Sequence, residues 1–224
     1  VYQLAAEVYS IIGKSEDKAV DYYKSMLFEA FKIQPHPQIR NKEIVTLYSF
    51  RKINEYTLSD LTKNEITVCN PSEMNDPFDS LANLWKKSDN LKVITKDKGH
   101  EDILDFSMDY YRIRSFVYPK EGESEATVLC NIRMWSSYAN EHYGFCVKYK
   151  LHKGFTHNID TNKWTVRRLA PVKYVSDFSM KKSMTAIDSY EAYNMKHVCW
   201  SYENEIRLLS YNTSTEDDFF SEPI

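Results

Sequence analysis

Glu203, Glu205 and Arg207 form an E-x-E-x-R triplet inside the run His-Val-Cys-Trp-Ser-Tyr-Glu-Asn-Glu-Ile-Arg-Leu-Leu, His197 to Leu209. Two carboxylates two residues apart, followed by a guanidinium, supply an anion to steady developing positive charge, a proton acceptor and a cation to orient both. Read as a strand, the alternation puts Trp200, Tyr202, Asn204, Ile206 and Leu208 on one face. Ser201, Glu203, Glu205 and Arg207 fall on the other, as a row of charge. A solvated sheet edge closed by a salt bridge would produce the same triplet, so other candidate groups must decide between the two.

Three further stretches carry candidate groups. Tyr48-Ser49-Phe50-Arg51 ends an apolar run with a phenol and a guanidinium able to hold a phosphate through paired N–H donors. Asn70 to Asp79 is dense in turn formers and includes Asn75-Asp76-Pro77, the kind of fixed loop on which binding groups sit; a plain turn with Asp76 or Asp79 capping the next helix is the alternative. In Met134 to Gly144, a helix would bring Trp135, Tyr138 and His142 to one face, suited to stacking on a planar ring or equally to core packing. His142 and Cys146 are four apart, a zinc spacing, but Gly144 intervenes and no second ligand pair accompanies them. No metal is expected. Cys69, Cys130, Cys146 and Cys199 are far apart, without a C-x-x-C pair, which fits reduced thiols in a cytoplasmic protein.

These groups need elements to position them. Residues 1–33 carry apolar positions at helical spacing in two segments, Tyr2 to Ile12 and Ala19 to Ala30, with Gly13 closing the first. That is a helical hairpin. Pro35 and Pro37 end it, giving an N-terminal unit over 1–40 and a second domain over 41–224. In the second, Ile44 to Arg51 reads as a central strand, Tyr56 to Leu61 as a short helix and Glu65 to Cys69 as a strand. Ile103, Phe106, Tyr110, Ile113 and Val117 predict one long helix over Glu101 to Tyr118. Ala126 to Asn131, Phe145 to Tyr149 and Val172 to Val175 read as strands, His157 to Trp164 as loop, Ser179 to Lys196 as helix, and Glu216 to Ile224 as a frayed acidic end.

The 224 residues fit one domain plus a small extra element. Aromatics at 14% with 5 Gly point to a packed chain. A net charge of -3 gives no global pull toward nucleic acid or an anionic membrane. No apolar run is long enough to span a bilayer, so no membrane association is expected. The chain starts at Val1 without an initiator Met, consistent with a fragment of a longer repeat protein.

Two resemblances add to this reading. Ala6, Tyr9 and Gly13 followed by Ala19, Tyr23 and Leu27 resemble one tetratricopeptide repeat, with an inter-helix turn about one residue longer than usual; such a repeat implies a protein partner bound through the N-terminal helices, or further repeats upstream. Tyr48-Ser49-Phe50-Arg51, Asn75-Asp76-Pro77-Phe78-Asp79, Met134-Trp135-x-x-Tyr138 with His142-x-Gly144, and Trp200-x-Tyr202-Glu203-x-Glu205-x-Arg207 resemble, in order, the motifs of a bacterial family of domains of unknown function. More distantly, this order is similar to ADP-ribosyltransferases, although a Ser-Thr-Ser strand is missing. That similarity implies an α+β fold built on a split mixed β-sheet with flanking helices, and NAD as substrate. It assigns Arg51 or Tyr48 to the first motif, Tyr138 to the second, and Glu203 with Glu205 to the third. Glu205 would steady the ribosyl cation, Glu203 would deprotonate a macromolecular acceptor, and Arg51 would hold a phosphate. Tyr48, Asn75, Asp76, Trp135, His142 and Arg207 would contribute to binding. Two other functions stay open: a metal-dependent nuclease or nucleic-acid-binding effector using the same carboxylates, and a non-enzymatic interaction module in which they form a structural ion network.

Overall fold

The computed structural model describes residues 37–71, 74, 111–160, 165–176, 193–212 and 219–223. The hairpin expected over 1–33, the Asn75-Asp76 loop and most of the helix expected over Ser179 to Lys196 fall outside the described residues, and the described end of that helix is corrected to a turn at 193–194 followed by strand.

Pro37 opens α1 (Pro37–Arg40), where a missing N–H costs nothing because the first turn has no carbonyl to receive it. Ile39 of this turn is buried in the core of the sheet that follows. β1 (Ile44–Arg51) is rich in β-branched and aromatic residues and buried on both faces from Leu47 to Phe50, as a central strand requires. Asn54 caps α2 (Glu55–Lys63) in a capping box: Thr57 N donates to Asn54 Oδ1 at 2.9 Å and Asn54 N donates to Thr57 Oγ1 at 3.1 Å. Asn64, left-handed at φ 57°, ends the helix and turns the chain into β2 (Glu65–Cys69).

After β2 come β3 (Tyr111–Val117), α3 (Glu125–Leu129), α4 (Ile132–Tyr138), β4 (Phe145–His152), α5 (Lys153–Thr156), β5 (His157–Asp160), β6 (Thr165–Pro171) and β7 (Lys173–Val175). β8 (Met195–His197), a 3₁₀ helix (Val198–Glu203), β9 (Glu205–Asn212) and β10 (Phe219–Pro223) complete the described elements. Eight of the described strands make one sheet, β10-β2-β3-β9-β6-β5, with β1 joined to β3 and β4 joined to β1. Its described pairings are all antiparallel, and among the described strands parallel pairing is found between β7 and β8. The α+β class holds, and the sheet, expected to be mixed, is mainly antiparallel among the described strands.

β3 is the branch point. One edge pairs with β9 along its whole length, while the other is divided between β2, through Cys69 opposite Ile113, and β1, through Tyr48 opposite Val117. Both faces of the sheet are covered. On one, Leu47, Ile66, Val68, Phe116, Leu169 and Leu208 form the larger core. Each such fully buried side chain contributes roughly 1.5–3 kcal/mol. On the other face, Tyr48, Phe50 and Val117 pack against Val128 of α3 and Met134 of α4.

Four expected elements are corrected. Residues 111–117 are strand rather than helix: a strand buried on both faces has no two-residue period, and Ile113 and Val117, four apart, therefore mimic a helical stripe. Residues 125–129 are helix rather than strand, with Ser124 at its N-cap position, Glu125 in the first turn and only Val128 buried. Residues 157–160, expected as loop, pair with β6, and the expected frayed end contains β10, paired with β2. None of the described helices is long and apolar enough to cross a membrane.

Candidate active site

The charged triplet does not lie on one continuous strand. Val198 to Glu203 wind into the 3₁₀ helix, whose N-terminus is capped by His197 Nδ1 accepting from Cys199 N at 3.3 Å. Asn204 follows in the left-handed region, φ 45°, a conformation asparagine tolerates better than most residues, and β9 begins at Glu205. The expected two-faced strand over 197–209 is thus corrected: its extended part starts at Glu205, and the row of charge is buried. Glu203 is 3% exposed, Glu205 6% and Arg207 0%.

Burial of this kind requires compensation, and a lysine supplies it. Lys196 of β8, itself buried, brings its Nζ to 2.6 Å from Glu203 Oε2 and 3.2 Å from Glu205 Oε2. Arg207 donates from Nε to Glu205 Oε1 at 2.6 Å, from Nη2 to Glu205 Oε2 at 3.2 Å and from Nη1 to the Tyr193 carbonyl at 2.6 Å. Two acids and two bases therefore close a neutral four-charge network in the interior. Glu205 N donates to Tyr174 Oη at 2.9 Å, fixing the first residue of β9.

The two carboxyls are held differently. Burial pushes Glu205 up, but Arg207 and Lys196 together outweigh that and hold it down at about 2, so it is a permanent anion. For Glu203 burial prevails: its pKa is raised, with Glu205 adding to the rise and Lys196 opposing it. Burial likewise raises Tyr138 and Tyr174, keeping both phenols protonated. Tyr138 of α4 uses its proton to donate to Glu203 Oε1 at 2.6 Å. A strongly bound anion beside a carboxyl of raised pKa is an arrangement found where protons are moved, although structural ion networks shift pKa values too.

The structure brings Tyr138, Glu203, Glu205 and Arg207 together and sets the other candidates apart. Arg51 alternates onto the opposite face of β1 from Tyr48; burial lowers its pKa, Tyr149 and Asp60 oppose that, and Asp60 Oδ2 lies 3.7 Å away. Tyr48 shares a row with Val117 and Glu205 across neighbouring strands, which leaves it two strands removed from Glu205, and its charged neighbours are Glu125 and Lys148. Trp135 serves the core: its ring meets Phe50 edge-on at 5.1 Å and its Nε1 donates to the Leu129 carbonyl at 2.7 Å. His142 is exposed and off the helix, in a turn where Asn140, Glu141 and His142 all have positive φ, so the shared helical face of Trp135, Tyr138 and His142 is corrected. That turn also separates His142 from Cys146 on β4, removing the helical zinc spacing. Among the described residues no three His, Cys, Asp or Glu are grouped for a metal, and the cysteines are unbridged. Cys130, at the C-cap of α3, and Cys199, in the 3₁₀ helix, are exposed.

Lys196 and Tyr174 escape a reading of the sequence. A lone lysine at the expected end of a helix carries no periodic signal, and Tyr174 sits in a three-residue strand. The observation that ties the site to known sequences is its span, from Met134 at the start of the Tyr138 motif to Leu208 just beyond Arg207. Residues 134–208 match the family described as Protein of unknown function (DUF2971). The DUF2971 match covers about a third of the chain and contains Tyr138, Lys196, Glu203, Glu205 and Arg207, while Tyr48 and Arg51 lie outside it. No curated protein and no solved structure matches the chain.

Proposed function

We propose that this chain consumes NAD, as an ADP-ribosyltransferase or NAD glycohydrolase, with Glu203 as the group that moves the proton and Glu205 as the fixed anion beside it. The reading rests on one contact, Tyr138 Oη to Glu203 Oε1 at 2.6 Å, which joins the M-W-x-x-Y and E-x-E-x-R motifs at one carboxyl. When the bond between nicotinamide and ribose breaks, the electron pair leaves with the ring, and positive charge develops on the ribose. A fixed carboxylate stabilises that charge more in the transition state than in the ground state. Water or a hydroxyl of a macromolecular acceptor then attacks the anomeric carbon and gives its proton to Glu203, whose raised pKa suits a group that must bind and release one. Asn75 and Asp76 remain candidates for the acceptor or ribose, and the N-terminal helices for a protein partner.

The test is nicotinamide release from NAD by the intact chain and by Glu203→Gln. Loss of a proton-transfer group predicts a fall of about 100-fold or more with the circular dichroism spectrum unchanged. Equal release from the variant removes the reading.

A second reading, a non-enzymatic module in which these charges only stabilise the fold, is favoured by their near-complete burial and mutual neutralisation. It predicts no NAD turnover by either protein. The metal-dependent nuclease has less support, since Lys196 Nζ occupies the space between the carboxylates where a divalent cation would bridge them.

A further inference from the structure

Both oxygens of Glu203 are engaged inside the protein. Oε1 accepts from Tyr138 Oη at 2.6 Å and Oε2 from Lys196 Nζ at 2.6 Å, and the residue is buried. Glu205 is closed in more firmly still, with Arg207 donating to Oε1 at 2.6 Å and both Arg207 and Lys196 donating to Oε2 at 3.2 Å. A proton arriving at Glu203 from outside therefore reaches it through a group that touches it. Lys196 is itself buried, whereas Tyr138 is half-buried. The other half-buried phenol, Tyr174, accepts from the Glu205 amide rather than donating to its carboxyl. A hydroxyl that donates one hydrogen bond keeps two lone pairs, so Tyr138 Oη can receive a proton while giving its own to Oε1.

The backbone next to this phenol is held in an unfavourable form. Directly after Tyr138 and Ala139, three residues in a row are left-handed, Asn140 at φ 49°, Glu141 at 52° and His142 at 74°, a conformation costing roughly 1–2 kcal/mol per residue outside glycine. The turn folds back on α4: His142 N donates to the Trp135 carbonyl at 3.2 Å and Gly144 N to that of Ala139 at 2.7 Å. It clamps the helical turn that carries Tyr138. Strain of this kind persists where surrounding structure enforces it, commonly beside working groups.

We infer that Tyr138 is the catalytic residue that meets the attacking hydroxyl and relays its proton to Glu203. The inference rests on the NAD-consuming reading and specifies the proton's route. As the acceptor's O–H bond breaks, the electron pair stays on its oxygen, which bonds to the anomeric carbon, and the proton passes to Tyr138 Oη. The proton of Tyr138 passes at the same time to Glu203 Oε1. Tyr138 is neutral before and after; Glu203 gains one proton, which returns to water by the reverse path. Without substrate, the same path lets Glu203 exchange its proton with solvent.

The test compares the unmodified full chain with Tyr138→Phe, which removes the hydroxyl and keeps the ring. Nicotinamide release from NAD by this variant is expected to fall about 100-fold or more, as for Glu203→Gln, and the double variant to fall no further, because the two groups carry one proton between them. Unchanged release by Tyr138→Phe overturns the inference. Nuclear magnetic resonance of protein labelled in its glutamate carboxyl carbons reads the route without turnover, the Glu203 signal being the one that Glu203→Gln removes. Across its titration the unmodified protein should show one averaged Glu203 signal, and Tyr138→Phe should show two, one for each protonation state. Two signals from the unmodified protein, or one from the variant, would mean that the proton does not travel through Tyr138. The predicted pair of spectra without NAD turnover would instead remove the enzymatic reading and leave the relay standing.

Discussion

Replacing Lys196 by Met tests whether the four buried charges behave as one unit. In the unaltered protein two cations face two carboxylates; Lys196→Met leaves Arg207 to balance both acids. Removing one partner from a buried ion network typically costs roughly 3–5 kcal/mol, so about 4 kcal/mol is expected here, a large share of the roughly 5–15 kcal/mol available to an ordinary domain. Glu203→Gln alone should cost less, about 1–2 kcal/mol. The amide still accepts from Tyr138, and the raised pKa of Glu203 shows that its ionisation is already disfavoured. The decisive protein is the double variant. With Lys196 gone, Glu203→Gln restores neutrality around the Glu205–Arg207 pair, so it should stabilise the Lys196→Met background by about 2 kcal/mol, reversing the sign of its effect. Urea unfolding followed by far-ultraviolet circular dichroism at neutral pH measures all four proteins. If Glu203→Gln costs the same in both backgrounds within about 0.5 kcal/mol, Lys196 and Glu203 do not share the charge balance and the network description fails.

Two more measurements follow. Glu205 is depressed from an unfolded value near 4.5 to about 2 by its cationic partners. Its contribution, roughly 3 kcal/mol, is fully present above the unfolded value and is lost as pH falls toward the folded one. Glu205→Gln should flatten that part of the acid-unfolding curve, and an unchanged curve would contradict the pairing. Glu203 works in the opposite sense, its raised pKa making stability fall as pH rises through that raised value, and Glu203→Gln should remove this slope. At Gly144 an added Cβ would lie 2.1 Å from the Arg51 carbonyl oxygen and 2.8 Å from that of Ala139, both backbone atoms. Gly144→Ala should therefore lower stability by about 3 kcal/mol in the same urea assay.

How far the chain can be read from its residues varies with the physics at each place. β1 and β2 coincide with their expected ranges because β-branched runs bounded by Asn, Arg and turn residues leave little choice, and Asn54 with Thr57 announces α2 through its cap. β3 and α3 defeat local patterning for one reason: their burial is decided by neighbours distant in sequence, which no local period encodes. Glu203, Glu205 and Arg207 are visible as a triplet, but their burial is not, because it depends on Lys196 arriving from β8 and on Asn204 breaking the strand between the two acids. Tyr138 is legible as a helical residue but is expected as a stacking ring, whereas its hydroxyl is what reaches Glu203; motif order likewise draws Arg51 toward the acids although alternation along β1 turns it to the other side.

The divided edge of β3 limits how this domain can vary. An ordinary inner strand can gain or lose a residue at its end by fraying one ladder, but here β1 and β2 occupy adjoining lengths of the same edge, only four positions apart at Ile113 and Val117. An insertion between those two residues would shift one neighbour's register against the other and turn Ser115 away from Arg207, its partner across the opposite ladder. Length between the two attachment points is thereby fixed by three ladders at once, and added residues are expected to be tolerated only in the connections beyond the fork.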